Sequence, residues 1–445
     1  MLACNDARPP TIHPTAKYPP PANHDTLRRM RCAQTWALAA LAGCGPVSPA
    51  DPADTTGATT GAPTTTGALP TGSATTTTAA DPGSTGGAMD CAHVCADPRT
   101  HDGDLTVTPD TDPTTLECLH TVTGNLHISD FVGPLPSELR SLHEVGELLT
   151  IEHNLVHDLQ GLECLERVKG LAIEHNDALA DITALAGLQA SRFLFISGGD
   201  ALADLSPLSG VQDFEHIQLQ FATGVETLPT FPPGTHLLDL YLWDSPRLTD
   251  LDPLAGVQGT PNQIELARLP ALTSVAGLAG MWTDEDPADL SMGDLPALTS
   301  LAGLEGIRRA QYLSLSDLPQ ITSLAPLTDL ETAEFLNLAG LPVSSLAELA
   351  NLKAVTSLRL GSCEFAGLPA LVDLAGLASL ESLETLILAG LPALESLDLP
   401  ALVTGPVILT AVDCPALSAD ELAEFGEAHG AALVCQTPPD VCDCF

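Results

Sequence analysis

From residue 124 onward the chain keeps returning to one apolar pair, written L-x-L or L-x-I. Marked by its second residue, the pair falls at Ile128, Ile151, Ile173, Ile196, Leu219, Leu242, Leu266, Met292, Leu315, Leu338, Leu360, Leu388 and Leu409, spaced 21 to 28 residues apart and averaging about 23. In Leu313-Ser314-Leu315-Ser316 the alternation has period two, which predicts a strand with one dry face and one wet face. Leu318-Pro319 follows, and proline has no N–H to continue a ladder, so the strand ends there. Ile321-Thr322-Ser323-Leu324-Ala325-Pro326-Leu327 then sets apolar residues three apart, which predicts tight turns or short 3₁₀ segments. The same series returns as Leu295-Pro296-Ala297-Leu298-Thr299-Ser300-Leu301 and as Leu269-Pro270-Ala271-Leu272-Thr273-Ser274-Val275. One such unit cannot bury its own leucines, but a stack of them can. The predicted fold is therefore a repeat solenoid with one parallel sheet and with turns or short 3₁₀ or α segments on its back.

A period of 20 to 29 residues with this core places the chain in the leucine-rich-repeat class. The early turns carry a narrower resemblance. Thr121-Val122-Thr123-Gly124-Asn125-Leu126-His127-Ile128, Val145-Gly146-Glu147-Leu148-Leu149-Thr150-Ile151-Glu152-His153-Asn154 and Val168-Lys169-Gly170-Leu171-Ala172-Ile173-Glu174-His175-Asn176 resemble the receptor L-domain, over about residues 91–210. That resemblance implies a right-handed β-solenoid of the kind found in insulin- and EGF-receptor ectodomains and in bacterial relatives. Later turns depart from it toward a general bacterial leucine-rich repeat, and thirteen turns exceed a single L-domain.

Ahead of the repeats the pattern changes. Residues 1–29 are Pro-rich without apolar periodicity and read as a non-structural extension ahead of Met30. Arg28, Arg29 and Arg31 precede an apolar run from Trp36 to Ala42, so residues 30–43 read as a secretory signal. The run is far shorter than the roughly 20 residues a spanning helix needs. Leu41-Ala42-Gly43-Cys44 resembles a bacterial lipobox, which implies lipidation of Cys44 and cleavage before it. Gly45, rather than Asp, follows, and by analogy with bacterial sorting this points to the outer membrane or cell surface. Residues 44–88, typified by Thr55-Thr56-Gly57-Ala58-Thr59-Thr60, hold almost nothing worth burying and are expected to be a disordered tether. A chain of that length reaches on the order of 35–40 Å.

Residues 89–120 and 413–445 are then the Cys-containing caps that flank the solenoid of 121–412. Solenoid ends expose an apolar layer and need closing, and disulfides are available outside the cytoplasm. The candidates are Cys91, Cys95, Cys118, Cys414, Cys435, Cys442 and Cys444. Preferred pairings are Cys118 with Cys91 or Cys95, and Cys414 with Cys435. Cys164 and Cys363, inside the repeats, are expected to be buried thiols. Ala419 to His429 reads as a capping helix with Ser418 as N-cap and Asp420 and Glu421 in its first turn.

Charge narrows the list of partners. With 16 Lys+Arg against 57 Asp+Glu, the formal net charge is −41. Such a surface repels phosphate, which argues against nucleic acid and leaves a lipid anchor as the route to a membrane. No nucleophile elbow, phosphate loop or triad spacing is present, so no catalysis, no cofactor and no metal are expected. Glu152-His153-Asn154 and Glu174-His175-Asn176 stand in phase one turn apart, at metal-ligand spacing on paper. Asparagine after a repeat strand, however, ordinarily bonds its own turn. His143-Glu144 lacks the second histidine of a zinc helix, and Asp284-Glu285-Asp286 with Asp289 lacks the glycine and terminal glutamate of an EF-hand. Binding remains. Residues flanking and separating the apolar pair line the concave face, among them Phe195, Gln218, Gln220, Tyr241, Trp243, Glu265 and the rare cation Arg359. Aromatics are enriched among interface anchors, although Phe195 or Trp243 could simply cover an edge of the core. The expected function is recognition of a protein or glycan partner at a bacterial envelope, with a structural or adhesive spacer as the alternative.

Overall fold

The computed structural model describes Cys91, residues 95–284, 286–362, 367–403 and 407–430, and the backbone of 432–437. The signal segment, Cys44, the tether, Cys363, Cys442 and Cys444 lie outside the described residues.

Among the described residues seventeen parallel strands form one sheet. They are β1 Arg99–His101, β2 Leu105–Val107, β3 Leu119–Val122, β4 Leu126–Ser129, β5 Glu144–Glu152, β6 Arg167–Glu174, β7 Phe193–Ser197, β8 His216–Gln220 and β9 Asp239–Trp243, followed by β10 Gln263–Ala267, β11 Ala288–Gly293, β12 Arg309–Ser316, β13 Thr332–Ala339, β14 Ala354–Gly361, β15 Ser382–Ala389, β16 Ile408–Val412 and β17 Ala432–Thr437. From β5 to β17 each strand pairs with the next in sequence, and the L-x-L pairs stay in register as far as β15; at β16 Leu409 pairs with Leu386, and Leu388 with Ala411. This is a leucine-rich-repeat solenoid. The sheet extends beyond the thirteen repeat strands β4 to β16, by β17 at one end and by β1, β2 and β3 at the other. Leu105 and Val107 pair with Leu126 and Ile128, and Leu433 pairs with Leu409.

The core is continuous from turn to turn. Within one turn Leu313, Leu315, Leu318, Ile321, Leu324, Leu327 and Leu330 are all buried. Each such side chain contributes about 1.5–3 kcal/mol relative to exposure. The back wall is made of 3₁₀ segments such as Thr183–Leu185, Ala325–Leu327 and Ala375–Leu377. A polar residue two positions ahead starts each of them. Asp181 accepts from Thr183 N at 2.7 Å, Ser323 from Ala325 N at 3.1 Å and Asp373 from Ala375 N at 3.0 Å. The Ser of Thr-Ser-Leu and the Asp of Ala-Asp-Ile thus have one task, to turn the chain toward the next inward leucine.

Both caps combine expected and unexpected features. Helix α1, Ala419–His429, starts at Ser418, whose hydroxyl accepts from Glu421 N, and ends at Gly430 with φ 60°. Glu421 Oε1 also accepts from Leu397 N at 2.8 Å, fastening the helix to the preceding turn. At the other end Cys95 pairs with Cys118, but Cys91 pairs with Cys164. Cys164 is therefore not a thiol. The coil brings its Cα within 5.5 Å of Cys91 across 73 residues of sequence, a proximity that no local spacing encodes. The expected Cys414–Cys435 bridge is also corrected, because Cys414 is a free thiol. Its Sγ donates to Val412 O at 3.4 Å, and burial raises its pKa.

Candidate binding face

Most strands from β4 onward end at a corner residue with positive φ. Asp130, His153, His175, Phe221, Asp244, Arg268, Asp294, Asp317 and Asp413 lie between +51° and +67°. The corner N–H continues the ladder, from His175 to Ser197 O at 2.8 Å and from Asp244 to Ala267 O at 3.1 Å. Asp and Asn tolerate this region and bulky side chains resist it. Phe221 and Arg268 are bulky exceptions.

The residues that looked most like chemistry hold the coil. Asn154 and Asn176 are fully covered. Asn154 Oδ1 accepts from Phe131 N, while its amide donates to Ile128 O and Glu152 O. Asn176 repeats the pattern one turn on, accepting from Asn154 N and donating to Ile151 O and Glu174 O. Glu152 lies 2.8 Å from His127 Nε2. Burial, and next the charge of Glu152, raise the pKa of Glu174. The rings of His153 and His175 stack at 5.2 Å. Among the described residues no group of three or more His, Cys, Asp or Glu could hold a metal ion.

Strands β7 to β10 bring most of the sequence candidates together. Register sets Phe195 beside Gln218, Gln218 beside Tyr241 and Tyr241 beside Glu265 in one row, with Gln220 beside Trp243 in the next. All six are half-buried. Tyr241 and Trp243 hold their rings 5.4 Å apart at 46°, and Tyr241 Oη donates to Gln263 Oε1 at 2.9 Å. The Trp243 indole nitrogen is covered without a hydrogen-bond partner. Next to Trp243 the floor falls away, since Ala267 and then Gly293 occupy its row.

The seventh candidate does not join them. Arg359 sits on β14, four strands beyond Glu265, or roughly 19 Å at the usual strand spacing. Its row neighbours are Asn337 and Ile387.

Several members of the face escaped the sequence reading. Phe193 packs against Phe195 with centroids 6.3 Å apart, and it lies two residues earlier, so period two already put it on that face. Asp239 pairs with His216 Nδ1 at 2.7 Å. Phe221, 50% exposed at the strained corner, adjoins Gln220 and donates its N–H to Trp243 O at 3.1 Å. A second stacked pair, Tyr312 and Phe335 at 4.8 Å, stands three strands from Tyr241, on β12 and β13. Near it a shallow groove of about 330 Å³ opens at the strand starts, between Arg309, Glu334 and Ser382.

Cations are mostly consumed between turns. Arg268 makes a two-bond fork on Asp244 at 2.6 and 2.7 Å, and that hydrogen-bonded carboxylate raises its pKa. Arg167 meets Glu144 at 3.0 Å, Lys169 meets Glu147 at 2.5 Å and Arg192 meets Glu215 at 2.5 Å.

Comparison with known proteins adds little beyond repeat architecture. No family model matches the chain. No curated protein matches it either. Among solved structures it is similar to a crystal structure of an internalin from Listeria monocytogenes, at 15% identity and a TM-score of 0.34, covering 69% of this chain and 88% of that one. The repeat class stands on the strand ladder itself. No helix among the described residues is long and apolar enough to cross a membrane.

Proposed function

We propose that this is a non-catalytic recognition protein of the bacterial cell envelope, lipidated at Cys44, whose sheet face between β7 and β10 binds a protein or glycan partner. The observation that carries the reading is the gathering of Phe193, Phe195, Tyr241 and Trp243 on neighbouring strands of one face, with Phe221 at the corner just beyond β8, in a chain only 4% aromatic. Two of these residues carry a local cost. A phenylalanine at positive φ costs roughly 1–2 kcal/mol. A covered indole N–H without a partner costs about 1–3 kcal/mol. Local strain of this kind concentrates at functional sites. Disulfides in the N-terminal cap support an oxidising compartment, and the lipobox-like Leu41-Ala42-Gly43-Cys44 supports the anchor.

Capture on immobilised processed protein tests the face. A saturable partner that is lost with Tyr241→Ala/Trp243→Ala, at unchanged melting temperature, is the expected result. Unchanged weak capture would favour a spacer and overturn the reading. Mass spectrometry of the processed N-terminus tests the anchor, with a diacylglyceryl mass on Cys44 expected and an unmodified cysteine refuting it.

A further inference from the structure

Charge on the aromatic stretch of the face is one-sided. Between residues 212 and 294 the sequence holds thirteen Asp and Glu against two Arg. Both arginines are engaged within the protein, Arg268 on Asp244, with Asp294 and Glu265 also within reach of its charge, and Arg247 on Glu226 at 3.7 Å. His216 lies on Asp239. On the face itself Glu265 follows Tyr241 across the register, and Asp289 lies on β11 two residues before Ser291, the partner of Glu265, and beside Tyr312. An aromatic ring carries negative electrostatic potential on its face, the same sign as a carboxylate. Tyr241, Trp243 and Glu265 therefore favour one kind of ligand together: a cation with an apolar stem, whose methylenes lie on the rings while its head meets the carboxylate.

We propose, building on the binding-face reading above, that the partner is a protein segment presenting lysine or arginine side chains, received at Tyr241, Trp243 and Glu265. The small residues Ala267, Ser291 and Gly293 on the adjoining strands leave room for the incoming chain beside the rings. A neutral glycan would use the rings and the amides of Gln218, Gln220 and Gln263, but it would also have to desolvate carboxylates without neutralising them. An acidic partner would be repelled at long range by the net charge of −41.

The test uses the full chain and twelve-residue peptides of alternating Gly-Ser and Lys or Arg, compared with peptides carrying Gln or Glu at the cationic positions. Calorimetry at physiological salt is expected to show saturable one-to-one binding of the cationic peptide, at least tenfold weaker binding of the Gln peptide and none of the Glu peptide. Glu265→Gln, which keeps shape, should weaken the cationic peptide several-fold. Trp243→Phe, which keeps a weaker ring, should do the same. Glu424→Gln on α1, with the same charge change, should leave affinity unaltered. Equal losses from Glu265→Gln and Glu424→Gln would mean diffuse charge attraction and would overturn the proposal, as would equal binding of the Lys and Gln peptides. If a neutral peptide or an oligosaccharide binds instead, and Tyr241→Ala/Trp243→Ala abolishes that binding, the cationic ligand is refuted while the face stands. A partner indifferent to that double substitution refutes both.

Discussion

The first turns and the later turns solve one problem in two ways. The residue just past the corner is Asn154 and Asn176 early on, Ser245 midway, and Leu269, Leu295, Leu318 and Leu341 later, before Cys414 at the end. The asparagines bond their own turn and the next one, so Asn154 N depends on Asn176 Oδ1. Ser245 Oγ keeps the bond to the carbonyl two residues back, and Cys414 Sγ keeps it too while also taking a backbone hydrogen bond from Leu391 on the preceding turn. The leucines drop the hydrogen bond and are buried. A polar ladder adds directional side-chain bonds between neighbouring turns, whereas the apolar ladder joins them by side-chain contact and by backbone bonds such as Leu318 N to Gly340 O at 3.2 Å. That difference follows the sequence drift from Glu-His-Asn to Leu-Pro-Ala-Leu-Thr-Ser-Leu.

The largest expected effect lies at the polar end, where Cys91 is tied to Cys164. Replacing both with serine should cost about 4 kcal/mol by loop entropy, measured as a shift in urea midpoint. A shift no greater than that of a surface substitution would mean that the polar ladder alone holds the first turns. Next, Asn154→Ala should cost about 3 kcal/mol, because it strands Phe131 N together with the carbonyls of Ile128 and Glu152. Leu318→Ala should cost a similar 3 kcal/mol through a cavity instead. The two separate in a double substitution, since Asn176→Ala added to Asn154→Ala should cost less than its single value. Leu341→Ala added to Leu318→Ala should show weaker coupling.

A smaller effect distinguishes fold from function at the corner. Phe221→Asn should stabilise the protein by about 0.5–1 kcal/mol, since asparagine tolerates positive φ. It should also weaken partner binding. A loss of stability would show that Phe221 is there to pack.

The smallest effect is a pH dependence. Burial and the neighbouring Glu152 raise the Glu174 pKa in the fold. Its contribution is therefore fully present below the unfolded pKa and is lost as pH rises through the folded one. Glu174→Gln should melt slightly higher than wild type at neutral pH, and the gap should close below about pH 4, the ordinary glutamate range. Asp181 runs the other way. Hydrogen bonds from Thr183 lower its pKa, so its contribution holds above the unfolded pKa and disappears as pH falls through the folded one.

Much of the architecture was legible because its signals are local and periodic. Alternation in Leu313-Ser314-Leu315 needs only a strand, and the cap of α1 needs only Ser418 and the acids after it. The aromatics of β7 to β9 were legible once the phase was known. Contacts across turns were not. The Cys91 partner, the separation of Arg359 from Glu265 and the strained place of Phe221 depend on how many residues each turn consumes and on where its corner falls.

The spacing of leucines thus determined by itself that successive coils share one dry interior, because an apolar residue every two or three positions has no other way to leave water. The chain also carried its own turn instructions in the Ser and Asp that start the back wall. Only the tertiary structure decided which side chains meet on the wet face. Those meetings are set by register between strands some twenty-three residues apart, and a shift of one residue in any turn would send each to a different neighbour.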